Sequence, residues 1–325
     1  LSAGTYNMIV EDANGCTAPT QRTLDEPAFE LIALIIDSSD FNGFGVSCNG
    51  GENGTATAEG ANGTPGYSYS WNTTPVAQNT AQATALSSNI YICTVTDTNN
   101  CQATVSVFIS EPSDPLLVQS SPSDFSGFGV SCNGDSNGVA TALADGGTLG
   151  YSYSWNTIPV ENTAQIAGLS AGNYTCTVTD TNGCVDSTSL TITEPNILVL
   201  SLTMTSNFNG FEVSCNGGFD GTATALATGG ALIGYSYSWD SSPIQDIAQA
   251  TGLSADTYLC TVTDSNGCTA FETVTPTEPS SLNGTASDDF LSCKGDSNGV
   301  ATAVAVDGTP GYSYSWDSSP VQNTA

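Results

Sequence analysis

Eleven cysteines are the most reactive side chains in this 325-residue sequence, and their spacing is regular. A first class, each preceded by Ser, falls at Cys48, Cys132, Cys215 and Cys293. A second falls at Cys93, Cys176 and Cys260, and a third at Cys16, Cys101, Cys184 and Cys268. No pair has the Cys-x-x-Cys spacing of zinc or thiol-exchange sites, which leaves disulfide chemistry in an oxidising, extracellular setting. Near the start, Met8 occupies the second-class position while Cys16 is kept, so a third-class cysteine does without a thiol there. The economical pairing is therefore first with third inside one period: Cys48 with Cys101, Cys132 with Cys184, and Cys215 with Cys268. The second-class residues are then buried thiols, since Met replaces them as a small hydrophobe. A rival reading keeps them as bridges between repeats or neighbouring chains.

Other chemistry is sparse. There is no His, which removes His-based triads, relays and HExxH zinc sites. Abundant hydroxyls lack a base to activate them, because Lys294 is the single lysine. One lysine also precludes an isopeptide cross-link in each repeat. A paired-carboxylate hydrolase is the surviving enzyme class, yet no repeat is specialised to hold its acids. The sequence reads as a non-enzyme.

Charge narrows the partners. Thirty-two Asp and Glu stand against two Lys and Arg, a formal net charge of −30. Phosphate neutralisation, and so nucleic-acid binding, is excluded, and an anionic membrane surface would repel the chain. The longest apolar run, 31–36, is far below the roughly 20 residues of a membrane helix, so no membrane insertion is expected. Asp-x-Asn-Gly turns at 12–15, 180–183 and 264–267 invite a calcium reading, because hard cations want clustered oxygens. They lack the alternating carboxylates of an EF-hand loop, and hairpin turns use the same residues. No cofactor is expected, with weak Ca2+ binding left open through the mutual repulsion of the carboxylates.

The elements that must position these groups follow an internal repeat. Gly-Tyr-Ser-Tyr-Ser-Trp ends at Trp71, Trp155, Trp239 and Trp316, at steps of 84, 84 and 77 residues, and the cysteine classes keep step. Glu-Pro pairs at 26–27, 111–112, 194–195 and 278–279 mark boundaries, since Pro cannot continue a central strand. The chain divides into the C-terminal part of a repeat (1–27), full repeats at 28–112, 113–195 and 196–279, and the N-terminal part of another (280–325). In the middle repeat, strands are expected at 116–120, 130–132, 139–143, 151–155, 165–169, 173–180 and 185–193. Tyr151, Tyr153 and Trp155 alternate with Ser and share one face, which fits a core better than a sugar-stacking platform. The Tyr at 91, 174 and 258 matches a tyrosine corner. About seven strands in 84 residues predict an all-β chain of tandem immunoglobulin-like β-sandwich repeats forming an elongated array.

These residues also carry a resemblance. Leu-Ser-Ala-Gly-x-Tyr at 169–174, then Thr-Val-Thr-Asp-Thr-Asn-Gly-Cys and Ile-Thr-Glu-Pro, with Ser-Cys-Asn-Gly and Tyr-Ser-Tyr-Ser-Trp, resemble the SprB repeat of Bacteroidota surface adhesins. The resemblance covers essentially the whole chain. It implies a large cell-surface or extracellular protein, often exported by the type IX pathway and associated with adhesion or gliding. The second-class Cys, where the family usually has an aliphatic residue, and the Phe-bearing insertions depart from the pattern.

Those insertions place Phe41 and Phe44, Phe125 and Phe128, and Phe208 and Phe211 before a first-class cysteine. They are expected either to contact the adjoining repeat or a neighbouring chain, or to pack on their own domain. Ala325 corresponds to Ala81 and Leu1 to Leu86. Residues 1–325 therefore read either as a window onto a longer array or as a chain whose copies complete one another head to tail, and neither end segment is expected to fold alone. The expected function is a structural and adhesive segment of a surface fibre, with neighbouring repeats, copies of itself or surface glycans as partners. The alternative is a carbohydrate- or calcium-binding β-sandwich module of a secreted protein.

Overall fold

The computed structural model describes residues 1–231 and 234–325, which form strands, turns and bends without a helix among them. Among the described residues no helix is long and apolar enough to cross a membrane. An N-terminal hairpin pairs β1 (Gly4–Glu11) with β2 (Thr17–Leu24). The first full repeat carries β3 (Ile32–Ser38), β4 (Gly54–Ala61), β5 (Ser68–Trp71), β6 (Gln82–Leu86), β7 (Asn89–Thr96) and β8 (Gln102–Ile109). The second carries β9 (Leu117–Pro122), β10 (Gly138–Asp145), β11 (Ser152–Trp155), β12 (Gln165–Leu169), β13 (Gly172–Thr179) and β14 (Val185–Ile192). The third carries β15 (Val199–Met204), β16 (Gly221–Thr228), β17 (Ser236–Trp239), β18 (Gln249–Leu253), β19 (Tyr258–Thr263) and β20 (Thr269–Val274). The chain ends with the pair β21 (Asn283–Asp288) and β22 (Ala301–Val306). Each full repeat thus builds two three-stranded sheets, β3-β4-β6 with β5-β7-β8 in the first, and the equivalents in the others.

Among the described residues six strands appear per full repeat where about seven were expected. Residues 130–132 form bends, because the N–H groups of Gly129 and Val130 both turn to the carbonyl of Thr193 just beyond β14 (2.9 and 3.1 Å). Fastened there, the segment is not free to pair as a strand.

Backbone proximity divides the chain into two units: Leu1–Ser120, Ala142–Ala164 and Thr175–Ser189 form one, and Ser121–Thr141, Gln165–Tyr174 and Leu190–Ala325 the other. In the first unit, the alternation of Ala and polar residues along β4 puts Ala56 and Ala58 inward. They join Val46, Trp71, Leu86, Cys93, Val95 and Ile109 in one buried cluster between the two sheets. In the second unit Ala223, Ala225, Trp239, Leu253, Cys260 and Val262 form the matching core. The Trp residues are filled in as the sequence requires: Trp71 is buried, and its indole N–H donates to Thr80 O (3.0 Å), so no polar atom is stranded. Tyr91 and Tyr258 bond the Ser four residues upstream through their hydroxyls, as does Tyr174, whose hydroxyl donates to Ser170 O (3.0 Å). The expected tyrosine corner is present in all three repeats.

Candidate functional site: the junction between repeats

The disulfides differ from the expected pairing. Cys48 bonds Cys184 and Cys132 bonds Cys268, each across 136 residues. A first-class cysteine is therefore joined to the third-class cysteine of the following repeat. The expected bonds Cys48–Cys101, Cys132–Cys184 and Cys215–Cys268 do not form, and Cys101 and Cys215 are exposed free thiols. The reason is geometric. Cys48 lies before the start of β4, whereas Cys101 follows Asp97, whose carboxylate holds Thr64 beyond the far end of β4 (2.9 Å). Eight residues at about 3.3 Å each separate the two ends, while a disulfide needs Cα atoms within about 7 Å; the bonds formed have 5.8 and 5.7 Å. The second-class Cys93, Cys176 and Cys260 are buried free thiols facing Trp71, Trp155 and Trp239 across the ladder. Burial raises the thiol pKa of all three, that of Cys260 to about 11.

Each bond sits in a built contact. In the first unit, Phe41, Asn42, Gly43 and Phe44 form a two-residue turn in which Phe41 N–H donates to Phe44 O (2.7 Å) and Phe44 N–H to Phe41 O (3.2 Å). Asn42 and Gly43 both have positive φ (53° and 94°), the conformation that favours Asn-Gly in such turns. The turn aims the Phe41 carbonyl outward. Asn182 of the next repeat reaches it with its side-chain amide (3.0 Å), and the same nitrogen lies 3.1 Å from Ser47 O and 2.9 Å from Thr148 Oγ1. Asn42 donates in turn to Asn182 Oδ1. In the second unit Asn266 repeats this, donating to Phe125 O and Ser131 O (both 3.1 Å) and accepting from Ser126 Oγ (2.8 Å).

The aspartates of the Asp-x-Asn-Gly turns hold these amides in place. Asp180 Oδ1 accepts the N–H groups of Asn182 and Cys184 (both 2.9 Å), and Oδ2 accepts Thr148 N–H (2.8 Å). Asp264 does the same for Asn266, Cys268 and Ala231. Gly147 is required beside it, because its φ is +59° and a Cβ there would stand 2.6 Å from Asp180 Oδ2. In the first repeat the N–H of Thr64, followed by those of Cys101 and Asn99, holds Asp97 below the usual carboxylate range. The carboxylate oxygens of Asp180 and Asp264 thus accept backbone N–H groups.

Glu-Pro places the other side of the contact. Gly50, in the Ser-Cys-Asn-Gly loop, donates to Glu111 Oε2 (2.6 Å), and Asn49 donates to Pro112 O (2.8 Å). Glu194 and Pro195 hold Gly134 and Asn133 the same way, as Glu278 and Pro279 hold Gly217 and Asn216. Burial follows the contact. Cys184 and Cys268 are each 8% exposed, whereas Cys101, in the same turn of the first repeat but facing no such loop, is exposed.

Of the residues singled out from sequence, the structure brings Cys48 together with Cys184, and Cys132 with Cys268. The Phe41 and Phe125 turns supply carbonyls to the same junctions, while Phe208 and Phe211 form the same turn with Phe208 exposed. Sequence reasoning missed Asn182 and Asn266. Their signal was present, an Asn two residues before each third-class cysteine, but it read equally as hairpin chemistry.

Segments 46–75, 130–160, 212–243 and 290–321 match the family model described as the SprB repeat. The chain matches no curated protein. Among solved structures it is similar to one bearing on host cell surface retention of a 1.5-MDa bacterial ice-binding adhesin (14% identity, TM-score 0.40, covering 77% of this chain and 98% of that one). It is also similar to a tetra-tandem repeat from the extending region of a large adhesion protein (13%, TM-score 0.32, 84% and 81%). A third likeness is to the N-terminal eight Ig domains of Down Syndrome Cell Adhesion Molecule (11%, TM-score 0.27, 93% and 55%). Each of the four matched segments spans a first-class cysteine and a Tyr-Ser-Tyr-Ser-Trp motif, so the chain carries four matches to the SprB repeat.

Proposed function

We propose that this chain is a structural and adhesive segment of a repetitive protein displayed at the cell surface, where its repeats hold a contact away from the cell and transmit load. One observation carries the reading: the same stapled junction, one disulfide ringed by an Asn amide, a Phe-turn carbonyl and a Glu-Pro anchor, occurs twice at an 84-residue step. A bond that joins successive repeats, rather than closing each one, serves a segment that must keep its repeats in sequence under load. Disulfides persist outside the cell, and the SprB repeats agree with a surface location. Export by the type IX pathway and a part in gliding rest on the family resemblance.

The test is to remove these repeats in frame from the gene of the producing cell. Antibody raised to the 325-residue chain should label intact wild-type cells, and the deletion should lower attachment to surfaces or to other cells. Failure to label intact cells, or undiminished attachment of the deletion strain, would refute the proposal. A calcium- or carbohydrate-binding module is the competing reading. Micromolar Ca2+ raising the melting temperature by many degrees would favour it; the engagement of Asp180 and Asp264 with backbone N–H groups supports no shift.

A further inference from the structure

The two disulfides enclose overlapping stretches of backbone. The loop from Cys48 to Cys184 and the loop from Cys132 to Cys268 share residues 132–184. Every peptide bond between Cys48 and Cys268 therefore lies inside at least one covalent loop. Had each repeat closed on itself, the connections 102–131 and 185–214 would be single backbone links.

We propose that the junction disulfides turn the repeat array into a covalent ladder, so that a single break in the backbone anywhere between Cys48 and Cys268 leaves the chain in one piece. A cut between Cys48 and Cys132 is bridged by Cys48–Cys184, one between Cys184 and Cys268 by Cys132–Cys268, and one between Cys132 and Cys184 by both. Because the rule joins the first-class cysteine of one repeat to the third-class cysteine of the next, each loop overlaps its neighbour by most of a repeat. The staples are also partly shielded, since Cys184 and Cys268 are buried at the junction and Cys48 and Cys132 are half-buried, which restricts a reductant's approach while the contact is closed. For a surface protein exposed to proteases, a cut then costs no continuity. The ladder deepens the proposed function but does not depend on it, because it is a statement about connectivity.

The 325-residue chain tests it directly. Arg22 and Lys294 are its only tryptic sites, so Gln119→Arg, at an exposed position in β9, adds a single cut between Cys101 and Cys132. With free thiols blocked and the chain unfolded but unreduced, trypsin should leave 23–119 attached to 120–294 until a dithiol is added. The same digest of Cys48→Ser with Gln119→Arg should release the two pieces without reductant. Release from Gln119→Arg alone, or attachment that survives loss of Cys48, would overturn the proposal. A digest of the unmodified chain with a glutamate-specific protease guards against misfolding of the variant. It should recover 31–52 linked to 162–212 and 60–161 linked to 213–272, whereas 31–52 linked to 60–161 would overturn the proposal equally.

Discussion

Replacing Asn182 with Ala should expose the Cys48–Cys184 bond to reduction and leave Cys132–Cys268 as an internal clock. The side-chain amide of Asn182 reaches two carbonyls of the preceding repeat, Phe41 O at 3.0 Å and Ser47 O at 3.1 Å, and its oxygen accepts from Asn42. A net hydrogen bond is worth about 1 kcal/mol, so losing these contacts should favour opening of the junction by about 2 to 3 kcal/mol. If reduction proceeds through the open junction, the rate of cleavage by dithiothreitol should rise roughly 30- to 150-fold, since each 1.4 kcal/mol is a factor of about ten. Asn99 supplies the control. It occupies the same turn in the first repeat but donates within that repeat, to Thr64 Oγ1 (2.8 Å), so Asn99→Ala should leave both rates unchanged. Timed alkylation with peptide-level mass analysis measures the two bonds separately. Equal reduction of Cys48–Cys184 and Cys132–Cys268 in Asn182→Ala would show that the Asn contacts do not hold the junction closed.

Trp239→Ala should destabilise the third repeat by about 3 to 5 kcal/mol, because the ring is fully buried among Ala223, Leu253 and Cys260; thermal unfolding of the full chain would show a component shifted down. Native alkylation should label Cys101 and Cys215 at once and Cys93, Cys176 and Cys260 only on unfolding; early labelling of the second group would contradict its burial. Alkali should weaken the fold through those same thiols. Burial holds Cys260 up to about 11 from 9.0, so the unfolded chain ionises first, and stability present below pH about 9 should decline between about 9 and 11. Cys260→Met should flatten that decline in the melting temperature of the third repeat. Gly147→Ala should cost about 1 to 2 kcal/mol or more in denaturant titration, as it forces a side chain into a left-handed conformation against Asp180; stability equal to that of the unsubstituted chain would mean the turn relaxes freely.

The strands were legible because their causes are local. Alternation along 138–145 and 152–155, the Asn-Gly and Asp-x-Asn-Gly turns, and the Pro at each boundary act over a few residues, and the inward faces of Trp71, Trp155 and Trp239 follow from a period of two. The tyrosine corner spans four residues and was equally local. The span 130–132 misled because Val130 and Cys132 suit a strand, while the N–H of Val130 is taken by Thr193, more than sixty residues away, and that of Ser131 by Asn137 Oδ1.

Cysteine pairing lay beyond any local signal. Spacing showed three classes in step, and Met8 showed that the second class was dispensable to the third, but both facts hold whether a first-class cysteine meets the third-class cysteine of its own repeat or of the next. Only the folded chain separates those choices. It sets Cys48 and Cys101 at opposite ends of the eight-residue strand β4, and it delivers Asn182 and Cys184 to the Phe41 turn and the Ser-Cys loop of the repeat before. Sequence by itself determined the repeat, its strands and its inward faces, because these depend on neighbours along the chain; tertiary structure decided which thiols meet, because a disulfide forms only between residues that the fold brings within about 7 Å.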